Sequence, residues 1–192
     1  MTRPGRNCRS AFLEVRYPSL PAAMKPFVLI EAGRARVVPA VEANVSSWVG
    51  DWLGDHAVDD LPAPAIVTLR CVHPWVTALE KVDAVARRFA REDLGAASFV
   101  RHYEDIARIL LARGRLSPLE GGERSLKAEL IATKDIRGWP SIDHAAFSPE
   151  AGGPRWRELE AAWAAIGPWF WGPRIGLEQA CGLIRGVLGE LA

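Results

Sequence analysis

The chain has 192 residues, of which 49% are apolar and 24% charged, and its net charge at pH 7 is +1. This length allows one domain, or one and a half small ones, with a real core, and the near-neutral charge excludes a global attraction to nucleic acid or membrane. The three cysteines are far apart and form no C-x-x-C pair, which argues against a disulfide framework or a structural zinc site. The N-terminus lacks the apolar segment of a secretory signal, and the longest apolar stretch, residues 161–172, is about half of a membrane span. We therefore expect a cytoplasmic protein that does not enter a membrane.

The first third of the sequence has mostly strand-like patterns, bounded by prolines and glycines. The segment that ends at two tryptophans, residues 41–52, is ambiguous and favours a helix. The predicted elements are, in chain order, a strand over residues 10–19, a strand through Val28–Ile30, a short strand at Val37–Val38, the helix over 41–52 and a strand over 65–72.

After Pro74 the apolar spacing changes to that of helices. The apolar positions of residues 77–90 cover about one third of a helical wheel, which predicts an amphipathic helix that Pro74 precedes and Thr77 caps. The remaining sequence predicts helices over residues 98–113, 126–136, 156–166 and 177–191, a loop over 114–126 and an irregular segment over 138–154. The fold class is therefore α+β, with a strand-rich part over residues 1–72 and a helical domain over 73–192.

Lys81 is one of four lysines in a chain with twenty arginines. At 100° per residue it falls at the border of the apolar face of its helix, where its stem can cover the core while its ammonium reaches a neighbouring element. On the next helix Arg101, Asp105 and Arg108 are spaced i, i+4, i+7 and form a polar stripe. From spacing alone, this stripe is more typical of a solvated face with a surface ion pair than of a site.

Other residues that could carry chemistry have weaker patterns. Glu31 ends an apolar strand, where a carboxylate is either a solvated strand-end residue or a ligand. The histidines show no i, i+4 pair that would indicate zinc, and the sequence has no G-x-S-x-G, Walker or G-x-G-x-x-G motif. Trp156 and Trp163, at helical spacing, are more typical of a core than of a base-stacking surface. The segment IGPWFWGPRIG over 166–176 is either an interface or a buried plug between helices.

Three segments, taken together, have the order and spacing of a known family. They are YPSLPAAMKPFVLIEAGRARVVPA, HPWVTALEKVDAVARRF and FVRHYEDIARIL. These segments resemble the nucleotidyltransferase AbiEii/AbiGii toxin family, in which a V-x-L/I-E-x-G strand precedes a P-x-x-T-x-x-E-K helix and an R-H-Y-x-D-I/L helix. A weaker match continues through ATKDIRGWPS and RWRELEAAWAAI, so that the resemblance covers most of the chain.

The resemblance implies a remnant of a nucleotidyltransferase-type mixed β-sheet followed by a C-terminal helical bundle. It implies transfer of a nucleotidyl group from a nucleoside triphosphate to an acceptor such as tRNA or another RNA. Enzymes of this type use Mg²⁺ ions held by carboxylates to bring the reacting groups together and to neutralise the developing charge. Family members are toxins of toxin–antitoxin or phage-defence systems, which implies a cognate antitoxin protein as a partner.

By the same resemblance, Glu31 is a catalytic acid that binds the metal or takes the acceptor proton. Lys81 holds the triphosphate, a suitable role for a compact point charge, and Asp105 orients Lys81 or a metal-bound water. The expected supporting contacts to phosphate or acceptor come from Arg101, His102, Arg34 and Arg36.

The sequence departs from the family pattern at its first motif, a glycine-rich turn followed by a D-x-D pair upstream of the strand with Glu31. The nearest acidic residues, Asp59–Asp60 and Glu123, come in the wrong order. We therefore expect a truncated protein that is inactive as this chain. The alternatives are a non-catalytic module that binds a partner or a nucleotide, and a globular domain of unrelated function with a coincidental match.

Overall fold

The strands and helices belong to two units along the chain. In the computed structural model, Met1–Val37 forms one unit and Val38–Ala192 the other. The structure describes residues 3–4, 10–16, 27–33, 36–47, 52, 56, 66–170 and 172–192. Among these residues, no helix has both the length and the apolar character needed to cross a membrane.

The first unit contains an antiparallel sheet of three strands. They are β1 (Arg3–Pro4), β2 (Ser10–Arg16) and β3 (Phe27–Gly33), in the spatial order β1-β2-β3. The register between β2 and β3 places Ser10 opposite Gly33 and Arg16 opposite Phe27. The predicted strands over residues 10–19 and at Val28–Ile30 are therefore confirmed within these bounds.

The second unit begins with an antiparallel ribbon of two strands. Strand β4 (Ala40–Val45) pairs with β5 (Val67–Val72), so that Ala40 lies opposite Val72 and Val45 opposite Val67. The predicted strand over 65–72 is confirmed, but the strand at Val37–Val38 and the helix over the first part of 41–52 are wrong. In β4, apolar and polar residues alternate with a period of two, and pairing with a partner more than twenty positions away stabilises the extended form.

In the described part of the chain, five α-helices follow the ribbon, which confirms the α+β class of the fold. In chain order they are α1 (Pro74–Phe89), α2 (Arg101–Leu111), α3 (Gly122–Ala132), α4 (Pro154–Ala165) and α5 (Leu177–Glu190). Short 3₁₀ turns, such as Ala96–Ser98 and Ala145–Phe147, connect them.

The N-terminal end of α1 differs from the prediction. The helix begins at Pro74, and the ring Nδ1 of His73 accepts a hydrogen bond from the backbone N–H of Trp75 at 3.1 Å. Thr77 is therefore inside the first turns and is not the cap. Helix α2 also begins later than the predicted residue 98, because the 3₁₀ turn Ala96–Ser98 occupies that position.

Helix α3 lies four residues upstream of the predicted range 126–136 and begins inside the predicted loop. Gly121 and Gly122 adopt φ values of 73° and 75°, a region that favours glycine, and turn the chain into the helix. At the other end the Thr133 hydroxyl donates to the Glu129 carbonyl at 3.0 Å, and Lys134 has a φ of 63°. This left-handed residue ends the helix before the predicted residue 136.

The hydrophobic core of the second unit is centred on α2, which packs against both α1 and α5. Tyr103 and Ile106 on α2, and Phe99 just before it, have no exposed surface. Burial of each such side chain stabilises the fold by about 2 kcal/mol. The Tyr103 hydroxyl also donates to the Ala146 carbonyl at 2.7 Å, which fixes the irregular segment between α3 and α4 against α2.

The C-terminal end of α1 is capped by Arg155 of α4. The Arg155 guanidinium donates to four backbone carbonyl groups, those of Arg88, Phe89, Arg91 and Leu94, at distances from 2.7 to 3.2 Å. A cation at this position satisfies carbonyl groups that have no partner within the helix and complements its dipole. This contact fixes the end of α1 that carries Arg88.

Candidate functional site

Helices α1 and α2 bring Lys81 and Asp105 together. Lys81 Nζ donates a hydrogen bond to Asp105 Oδ2 at 2.7 Å, and the side chains are 25% and 39% exposed. On α1 the apolar residues on both sides of Lys81, Ala78 and Val82 among them, are buried in the core. Lys81 is therefore at the border of the apolar face, and its ammonium reaches the neighbouring helix as the sequence predicted.

Asp105 is bonded across the helix pair to Lys81 and along its own helix to His102, and not to the arginines of the predicted stripe. Arg108, which could have formed a surface ion pair with it, binds Glu104 and the carbonyl of Pro173 instead. Arg101 is exposed at the first position of α2, and its side chain makes no hydrogen bond with the described residues. The structure thus joins Asp105 to Lys81, while Arg101 lies at the helix start without a contact to the pair.

His102 is the third member of this cluster. Its Nδ1 lies 3.1 Å from Lys81 Nζ and 3.4 Å from Asp105 Oδ2, and its Nε2 lies 3.1 Å from Arg88 Nη1. Because a guanidinium can only donate, Nε2 is assigned as the acceptor, and the proton of the neutral ring is then on Nδ1, directed at Asp105. His102 therefore connects Arg88 to the Lys81–Asp105 pair. These four residues are called the Lys81 cluster below.

The Asp105 carboxyl is held in its ionised form. Burial alone would raise its pKa, but the hydrogen bonds from His102 and Lys81 outweigh burial and lower the pKa from 3.8 to about 2. Asp105 is thus a fixed negative charge at neutral pH and keeps the Lys81 ammonium in one orientation. A general base that takes a proton near neutral pH would need the opposite change in pKa.

The other predicted site residues belong to the first unit. Glu31 lies in β3, where it pairs with Phe12 of β2. Arg36 is half-buried just after this strand, and Arg34 lies outside the described residues. The proposed roles of Glu31, Arg34 and Arg36 beside Lys81 stay predictions.

Two important residues were missed in the sequence. Arg88 lies seven positions after Lys81, on the same face of α1, and this i, i+7 spacing was the signal that could have identified it. Glu104 is fully buried, and its carboxylate accepts from Arg108 at 2.8 Å and from Arg174 at 3.0 Å. Arg174 comes from a distant part of the chain, so that local spacing could not indicate this pair.

The buried Glu104 and its partner Arg174 fix the part of α2 that carries the site. Arg174, which binds it, also lies over the rings of Trp163 and Phe170, with its guanidinium carbon 4.2 and 4.5 Å from the ring centroids. Such stacking and ion pairing suit the planar guanidinium of arginine. Because Glu104 precedes Asp105 directly in α2, the pair fixes the turn of helix that carries Asp105 and His102.

The described residues do not fit a metal ion of the expected kind. Among them, no group of three or more His, Cys, Asp or Glu side chains could hold a metal. The carboxylate of Asp105 already pairs with Lys81, and that of Glu123 pairs with Arg113 at 3.4 Å. Mg²⁺ prefers several oxygen ligands around one centre, and the Lys81 cluster offers one carboxylate next to two cations.

Comparison with known proteins gives no relative, since no family model, curated protein or solved structure matches the chain. The functional assignment therefore depends on the motifs in the sequence and on the geometry of the Lys81 cluster.

Proposed function

We propose that this chain is part of a nucleotidyltransferase-like toxin of the AbiEii/AbiGii type, in which Lys81 binds the phosphates of a nucleoside triphosphate. The observation that carries the proposal is the 2.7 Å bond between Lys81 and Asp105, the lysine and the aspartate of the two helical motifs that resemble the family. The proposed acceptor is an RNA such as tRNA, and the proposed partner is a cognate antitoxin in a toxin–antitoxin or phage-defence system.

The Lys81 cluster has the charge and exposure that a phosphate site needs. The ammonium of Lys81 has three N–H donors, of which one binds Asp105. At least one donor remains for a ligand, and a quarter of the side chain is exposed. With Lys81 and Arg88 positive, Asp105 negative and a neutral imidazole, the net charge is +1, which attracts a phosphate oxygen.

In this proposal Asp105 acts as a positioning residue. It fixes the ammonium before the ligand arrives, so that less side-chain entropy is lost on binding. These residues bind and orient phosphates, and nucleotidyl transfer needs carboxylates from outside the Lys81 cluster.

A non-catalytic module that binds nucleotide or a partner is the second candidate. The observation that favours it is that the described residues contain no group of three potential metal ligands. A module that binds nucleotide also uses Lys81 to hold phosphates and differs from the first candidate in that no nucleotidyl group is transferred.

Calorimetry with the full chain, Mg²⁺ and each of the four nucleoside triphosphates tests the shared step. We expect binding with a Kd of about 1 mM, and a loss of at least about tenfold in Lys81→Ala, since one charged contact to phosphate contributes more than 1 kcal/mol. The matched control is Lys134→Asn, which also removes an exposed lysine and keeps a residue that tolerates the φ of 63°. Equal heats for Lys81→Ala and the wild type would refute the role of Lys81.

Transfer of labelled nucleotide to RNA tests whether this chain turns over the nucleotide that it binds. Because no D-x-D pair lies upstream of Glu31, we expect no labelled RNA from this chain alone, although calorimetry shows binding. Labelled RNA from the wild type that Lys81→Ala abolishes and Lys134→Asn retains would contradict the expected inactivity and exclude the non-catalytic module. Labelling that persists in Lys81→Ala would contradict the role of Lys81.

A further inference from the structure

A second groove lies on the other side of α1 from Asp105. It has a volume of about 380 Å³ and is formed by the second half of α1, the segment Arg137–Pro140 and His144. This volume is within the range of sites for small molecules, about 300–1,000 Å³. None of the four residues of the Lys81 cluster lines it.

Small and apolar side chains line part of this open groove. Ala86 on α1 and Ala90 just after its end are one helical turn apart, where larger residues would fill the space. Trp139 and Pro140 also line the groove. The indole of Trp139 is held by a hydrogen bond from its Nε1 to the Leu188 carbonyl at 3.4 Å, and the Lys127 ammonium lies 5.7 Å from its ring centroid.

Two guanidinium groups line the same groove. Arg87 is oriented by Asp83, whose Oδ2 accepts from Arg87 Nε at 2.8 Å and whose side chain is only 6% exposed. The two terminal nitrogens of Arg87 make no hydrogen bond within the described part of the chain, and neither does the exposed Arg137. The groove therefore offers one cation oriented by Asp83 and a second, exposed cation.

His144 adds a neutral donor. Its Nδ1 accepts from the backbone N–H of Ala146 at 3.2 Å, which assigns the ring proton to Nε2. Burial lowers the pKa of His144, so that the neutral ring predominates at pH 7. With Arg87 and Arg137 positive and Asp83 negative, the charge of the groove is +1.

We propose that this groove binds a small aromatic carboxylate, with the carboxylate between Arg87 and Arg137 and the ring against Trp139. Guanidinium groups bind carboxylates through paired hydrogen bonds, and the single net charge suits a monoanion. The apolar floor and the planar indole accept a flat ring, which adds burial of apolar surface to the ion pair.

The test is an NMR titration of the full chain with 2-naphthoate. The indole Nε1–H signal of Trp139, which is assigned by its loss in Trp139→Phe, monitors binding. The account predicts a saturable shift with a Kd of about 0.1–1 mM. The neutral analogue 2-naphthamide binds at least about tenfold more weakly, because it lacks the charge. An absent Trp139 shift, or equal binding of the two compounds, overturns the proposal.

Three variants locate the site. Arg137→Gln raises the Kd about tenfold and Ala90→Leu, which fills the groove, abolishes binding. Arg157→Gln, which removes an exposed arginine on α4, leaves the Kd unchanged. Equal effects of Arg137→Gln and Arg157→Gln on the Kd overturn the assignment. Binding of 2-naphthyl phosphate more than about tenfold tighter than that of 2-naphthoate also overturns it. Lys81→Ala leaves naphthoate binding unchanged, which separates this proposal from the nucleotide site.

Discussion

The pKa of Asp105 gives a quantitative test of the Lys81 cluster. The structure lowers this pKa from 3.8 to about 2, against the effect of burial, through bonds from His102 and Lys81. Lys81→Met removes one of the two donors and keeps the apolar stem. We therefore expect the pKa of Asp105 to rise in this variant, because burial, which raises it, is then opposed by His102 alone.

The effect on stability follows from the same change in pKa. The lower pKa corresponds to a contribution of at most about 2.5 kcal/mol to the free energy of unfolding. Because Asp105 is 39% exposed, solvent screening reduces this contribution to about 1 kcal/mol. Since the folded pKa is below the unfolded one, the contribution is present above about pH 3.8. It is lost as the pH falls through about 2.

The assay is a ¹³C NMR titration of the Asp105 carboxyl carbon across the acidic range. A double-mutant cycle of Lys81→Met and Asp105→Asn in urea at pH 7 gives the coupling free energy, with an expected value of about 0.5–1 kcal/mol. Lys134→Asn is the control and leaves the pKa of Asp105 unchanged. An Asp105 that titrates near 3.8 in the wild type, or equally in Lys81→Met, would refute the reasoning.

The remaining predictions concern the supports of the site. Glu104→Ala removes the ion pair of the largely buried Arg174 and lowers the free energy of unfolding by about 3 kcal/mol in urea, whereas an unchanged midpoint would contradict the role of this carboxylate. Arg155→Ala removes the cap of α1 and lowers the free energy of unfolding by about 2–3 kcal/mol. Amide hydrogen exchange in the last turn of α1 becomes faster, and equal exchange rates in variant and wild type would rule out this role. Burial raises the pKa of the Cys181 thiol to about 12, so that in a Cys8→Ser/Cys71→Ser background iodoacetamide modifies it only after unfolding; rapid reaction of the folded chain would be inconsistent with this burial.

The sequence predicted those features whose cause lies within one element. The apolar spacing of α1 placed Lys81 at the border of a buried face, and the same period predicted α2 with Asp105 on its polar side. Each pattern determines which side of one helix is buried, and the contact between the two residues depends on how the helices pack together. Such patterns are local, because the side that a helix buries is decided by residues three and four positions apart.

The features that were missed depend on partners far along the chain. The local sequence of β4 favours a helix, and the strand forms because it pairs with β5. This partner lies more than twenty positions away, so that local patterns do not indicate it. Glu104 is buried because Arg174 approaches it from 70 positions away. Glu104 follows Tyr103 in a helix rich in polar residues, and nothing in the sequence around it indicates a partner as distant as Arg174.

The most direct measurement of the central claim observes the ammonium of Lys81 itself. With ¹⁵N-labelled lysine, the four lysines of the chain give a simple spectrum of Nζ signals, and Lys81→Arg identifies the one of interest. We expect this signal to be visible without ligand, since the hydrogen bond to Asp105 slows the exchange of its protons, and to shift when a nucleoside triphosphate is added. A Lys81 signal that stays in place while the triphosphate binds would contradict the account.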